Sequence, residues 1–122
     1  MKSQNTLRAT PQLGISQLHI EYAHRWDQRL LGLLFRRQLL PGHALLLSPC
    51  TSVHTAFMRF AIDVVFLDAG YRVLVIRANL PPWWGAWGPH GTRHTLELSA
   101  GSVDRLGWQT GQSLDAFFIT HP

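Results

Sequence analysis

The chain has 122 residues, 46% of them apolar, and a formal net charge of +4, which is one domain's worth of sequence able to bury a core without a disulfide or structural metal. No apolar run reaches the roughly eighteen residues of a membrane helix, and the single cysteine, Cys50, cannot close an intramolecular disulfide. All but one of the eleven basic residues are Arg, scattered except at Arg36-Arg37, which argues against a nucleic-acid-binding face and leaves small anions as the class an arginine fork favours.

Residues 1–15 are polar and turn-rich, so a flexible N-terminal segment is expected there, with a single domain over 16–122. The segment lacks the apolar stretch of a secretory signal, and a cytoplasmic location is therefore expected. In Gln17 to Tyr22, Leu18, Ile20 and Tyr22 alternate with polar residues as a half-buried strand requires, with His19 facing outward. The period then changes. Trp26, Leu30, Leu33 and Leu34 recur at spacings of three and four, predicting one α-helix over about 25–36. Asp27 near its start and Arg36-Arg37 near its end complement the helix dipole.

Pro41-Gly42 breaks the chain, and Ala44 to Leu47 reads as a short apolar strand stopped by Ser48-Pro49. Val53 and the segment Phe57 to Phe60 read as further short extended pieces. Ile62 to Leu67 has the β-branched and aromatic content of a buried strand. Asp68-Ala69-Gly70-Tyr71 supplies turn chemistry, Asp68 capping its own turn, and the chain returns antiparallel through Arg72 to Ile76. Residues 78–93 carry three Trp, three Pro and three Gly and read as one long irregular loop. Strand signals resume over Thr92 to Leu98. A capped helical turn follows at about 100–106, ended by Gly107, and a final strand is expected from Ser113 to Thr120. The fold class is α+β and predominantly β: a small barrel-like or rolled, mostly antiparallel sheet with that helix and that helical turn.

The polar residues between Cys50 and Asp63 are the chemical candidates. Asp63 lies in an apolar run, and a buried carboxylate needs donors, either backbone N–H groups that make it a structural clamp or a partner such as Arg59 or His54 at a pocket. Ser52, His54, Thr55, Arg59 and Asp63 are the candidate pocket residues, beside Trp83 and Trp84. An enzyme alternative uses His54 with Asp63 or Cys50, Glu97 being a further group that could orient them. Cys50 lacks the surroundings of a cysteine-enzyme signature. Cys50-x3-His54 and His90-x3-His94 supply zinc-type donors, but their spacing suits a helix and both segments read as loop or strand, so no metal or other cofactor is expected. Trp83, Trp84 and Trp87 either pack as a lid over the barrel mouth or form an exposed aromatic surface for a sugar, a nucleobase or a protein.

With these residues in view, HTAFMRFAIDVVFLDAGYRVL, then LPPWW, then HTLELSAGSVDRLGWQTGQSL resemble the prokaryotic family called domain of unknown function 192. The resemblance implies a compact β-rich, barrel-like domain of bacteria and archaea with no established activity. Two departures stand out. The family's TFGMRFPID pattern has a glycine and a proline that Thr55 to Asp63 lack here, and Gln112 replaces an acidic residue usual after the glycine at 111, so a polar turn contact is expected to be lost. The functional expectation is a binding or accessory domain for a small polar or anionic ligand, without nucleic acid or membrane. The alternatives are a hydrolase or transferase using His54, and a protein-interaction module that assembles through the Trp loop.

Overall fold

Ile62–Leu67 is a strand whose six residues are all buried, the continuous apolar run of a strand covered on both faces rather than the alternation of a half-solvated one. It lies inside a six-stranded sheet. The computed structural model describes residues 6–7, 18–23, 41–55 and 60–118. In chain order its strands are β1 (Thr6–Leu7), β2 (Leu18–Ala23), β3 (His43–Leu47), β4 (Ser52–His54), β5 (Ile62–Leu67), β6 (Val73–Leu80), β7 (Gly85–Trp87) and β8 (His94–Ser99). Two short helices follow, α1 (Ser102–Leu106) and α2 (Asp115–Phe118). The expected helix over 25–36 lies outside the described residues.

The large sheet runs β1-β2-β3-β8-β5-β6, and β4 and β7 form a separate two-stranded ribbon. All pairs are antiparallel except β2 and β3, which are parallel. The fold is therefore a predominantly β α+β arrangement with a mixed sheet. It is not the expected barrel: among the described residues β1 and β6 are the two edges and do not pair with each other. The start of β6 instead meets the chain after α1, where the Val73 N–H donates to Gln112 O at 2.9 Å and the Gly111 N–H donates to Val73 O at 2.8 Å.

Each face of the sheet has its own core. Leu18, Ile20, Leu46, Val65, Leu67, Leu96 and Leu98 pack with Val103, Trp108 and Leu114 on one side. Leu45, Leu47, Ile62, Val64 and Phe66 pack with Cys50, Leu80 and Ala86 on the other, the ribbon side. Gly88 belongs to this close packing, because a Cβ there would run into Thr92 and the Phe66 ring.

Several local expectations hold and some need correction. The hairpin is closed by Asp68, whose Oδ1 accepts the N–H groups of Gly70 and Arg72, both at 2.9 Å. Gly107 ends α1 with φ 71°. Over its described residues the segment from Ser113 is not a strand: Ser113 alone among them bridges, to Arg72, and Asp115–Phe118 is helical. Phe117 and Phe118 both pack on the core there, and consecutive residues reach one side on a helix but not on a strand. The loop expected over 78–93 contains the end of β6 and all of β7. Gln112 does not lose its turn contact, since its Oε1 accepts the Gln109 N–H at 3.0 Å.

Candidate functional site

Strand alternation divides the ribbon into two sides. Register pairs Ser52 with Trp87, Val53 with Ala86 and His54 with Gly85. Val53 and Ala86 face the sheet and join its ribbon-side core, so Ser52 and Trp87 stand on the outer side, both exposed.

The turn leading into β7 is closed by an unusual device. Pro82 and Trp83 are its central residues, and Trp83 takes φ 67°, a left-handed conformation where glycine is the ordinary choice. The hydroxyl of Thr55 fills the gap between the turn's ends: it donates to Pro81 O at 2.6 Å and accepts the Trp84 N–H at 2.8 Å. Backbone bonds from Thr55 N–H to Trp84 O at 2.7 Å and from Trp83 N–H to Thr55 O at 2.9 Å add to the clamp. Thr55 is thus fully buried and committed to the loop. The indoles are exposed. Trp83, Trp84 and Trp87 are 65%, 61% and 73% exposed, which corrects the lid reading, and the Trp87 ring lies back over Gly85 of its own ribbon.

Asp63 is buried on β5 and its carboxylate accepts two backbone N–H groups, from Asn79 at 2.8 Å and from Val103 at 2.9 Å. The first bond supports Asn79 in a left-handed conformation at φ 56°. The second caps α1, whose own N-cap, Gly101, offers no side chain. Asp63 is therefore the structural clamp, and Cys50, the other group named with His54, is buried with its thiol donating to Ser52 O at 3.1 Å. Arg59 lies outside the described residues. Of the seven pocket candidates, the structure brings Ser52, Trp83 and Trp84 to one exposed region, takes Thr55 and Asp63 inside, and pairs the His54 backbone with Gly85 in the ribbon.

Two further buried groups, His94 and Glu97, entered the sequence reading only as a zinc-type donor and as an orienting group. His94 has its Nδ1 2.6 Å from Ser48 Oγ and its ring stacked on Tyr71 at 4.4 Å. Burial holds its imidazole below the usual range, against a backbone hydrogen bond at Ala69 that acts upward. Glu97 is 2% exposed, and burial raises its carboxyl to about 8. Among the described residues, no group of three or more His, Cys, Asp or Glu is placed to hold a metal.

These features define a small, predominantly β α+β domain with a mixed sheet, a ribbon crossing one face and an aromatic outer surface. The chain belongs to the domain of unknown function 192 family, described as an uncharacterized ACR, whose model matches residues 8–116. A UPF0127 protein of Pyrococcus furiosus is 32% identical over 108 residues, covering 75% of this chain and 88% of that protein. The crystal structure of a protein of unknown function from Novosphingobium aromaticivorans has a TM-score of 0.72 at 24% identity, covering 87% of this chain and 79% of that one. A Sinorhizobium meliloti structure, provisionally described as a transcription regulator, has a TM-score of 0.65 at 27% identity, covering 80% of each chain.

Proposed function

We propose that the domain is a binding module that engages a small polar, ring-bearing ligand on the outer side of the β4–β7 ribbon. The observation that carries this reading is the exposure of Trp83, Trp84 and Trp87 on a backbone that Thr55 holds rigid. Indoles held in place lose little conformational freedom on binding and present flat apolar faces with a polar N–H edge. Ser52, exposed opposite Trp87, adds a hydroxyl. From Ala78 to Thr92 there is no Lys, Arg, Asp or Glu, so the surface suits a neutral polyhydroxylated ring such as a sugar better than an anion.

Tryptophan fluorescence titrated with neutral sugars, nucleosides and carboxylates tests the proposal. A saturable response to a neutral sugar that disappears in Trp84→Ala is expected. Silence from every compound would count against the reading, as would a response unchanged in Trp84→Ala. A mass that rises with protein concentration and becomes monomeric in Trp84→Ala would assign the same surface to assembly instead.

A further inference from the structure

Glu97 occupies the middle of β8, paired across the sheet with Leu45 on β3 and Val64 on β5. Directly paired residues project to the same face, so its carboxyl enters the ribbon-side core among apolar neighbours. Its Oε1 is, among the described residues, the one buried side-chain polar atom without a hydrogen-bond partner. The neighbouring polar groups of that layer are engaged elsewhere: the Thr95 hydroxyl donates to Cys50 O at 2.9 Å, and the Cys50 thiol donates to Ser52 O. A leucine or valine at this position would fit the layer without an unsatisfied oxygen. The carboxyl is thus an acceptor with capacity left unused by the fold.

We propose that Glu97 anchors a second ligand site, in the layer between the six-stranded sheet and the β4–β7 ribbon, and that this site takes a cationic amine on an apolar body. An ammonium brings donors and the opposite charge to a carboxyl that has no cation beside it among the described residues, in a layer whose other members, Leu45, Val64 and Ala86 among them, are apolar as an aliphatic tail is. A carboxylate ligand brings no donor for the unpartnered oxygen, and an alcohol supplies one donor and no charge. Entry follows from the topology: the ribbon is a separate sheet, so it can lift from this face without breaking a ladder bond of the larger one.

The proton balance gives the site its signature. At neutral pH burial keeps Glu97 protonated, and an alkylammonium arrives already charged, as its pKa near that of Lys dictates. Binding therefore breaks the Glu97 O–H bond and releases that proton to the buffer, leaving an ammonium–carboxylate pair.

Calorimetric titration of the full chain with hexylamine at neutral pH, in two buffers of different ionisation enthalpy, tests the site against hexanol and hexanoate. The expected result is hexylamine binding with proton release, weakened roughly tenfold or more in both Glu97→Gln and Glu97→Leu and unchanged in Trp84→Ala. Should Glu97→Leu fail to fold, the Gln variant carries the comparison. The proposal is overturned if hexylamine does not bind, if it binds the Gln variant as tightly as the parent, if no proton is released, or if hexanoate binds equally well. Because Trp84→Ala separates the outer surface from this layer, failure here leaves the ring-binding proposal standing.

Discussion

Asp63 and Glu97 are both buried carboxyls, on adjacent strands of one sheet, and the chain treats them in opposite ways. Asp63 spends both oxygens on backbone N–H groups that would otherwise be orphaned, one at the Asn79 bend and one at the start of α1. Glu97, one pairing step away opposite Val64, has an oxygen with no partner among the described residues. Equal burial therefore does not mean equal role. A carboxyl whose lone pairs are filled by the fold is part of the scaffold, and one whose lone pairs are left open costs stability and has capacity for something else.

The contrast can be broken by substitution. Asp63→Ala leaves two N–H groups without acceptors, and at about 1–3 kcal/mol each denaturant unfolding should show a loss of about 2–6 kcal/mol. A loss below about 1 kcal/mol would mean that Asp63 is no clamp. Glu97→Leu should act in the other direction. By removing an unsatisfied oxygen from an apolar layer it should raise stability at neutral pH by about 1–3 kcal/mol, and marked destabilisation would show that the carboxyl is satisfied after all.

Proton linkage sharpens the comparison further. Folded Glu97 keeps its proton up to about pH 8, whereas a carboxyl of the unfolded chain releases it near 4.5. The folded state thus binds the extra proton throughout that window. The stability it contributes is complete below pH 4.5 and is lost as pH rises through about 8, with a slope of at most roughly 1.4 kcal/mol per pH unit. Unfolding curves of the parent and of Glu97→Gln across this range should diverge by that slope; parallel curves would remove the linkage. The smallest effect belongs to the outer surface. Trp84→Ala should change stability by no more than about 0.5 kcal/mol, because the indole packs little, and a larger loss in thermal melting would make it part of the core.

Much of this was legible in the chain. The β5–β6 hairpin follows from an apolar β-branched run and Asp68 turn chemistry, and the demand that Asp63 find donors follows from its place within that run. The donors themselves were not legible, since Asn79 and Val103 are 16 and 40 residues away. Glu97 was the harder case. In Leu96-Glu97-Leu98 a polar residue between two apolar ones is the mark of a strand with one wet face, and nothing local says that a ribbon covers that face. Likewise the final segment has strand-like aromatic content, yet Phe117 and Phe118 must both reach the core, which selects a helix.

The sequence by itself determined the family, the strand-rich class, the hairpin and the presence of three tryptophans in one segment, because these depend on local pattern and turn chemistry. Only the tertiary structure decided that the sheet stays open, that Thr55 braces the Trp turn so that its indoles face outward, and that Asp63 is satisfied while Glu97 is not. Each of those turns on which distant groups meet, and hydrogen-bond satisfaction in a buried layer is a property of that meeting rather than of any residue alone.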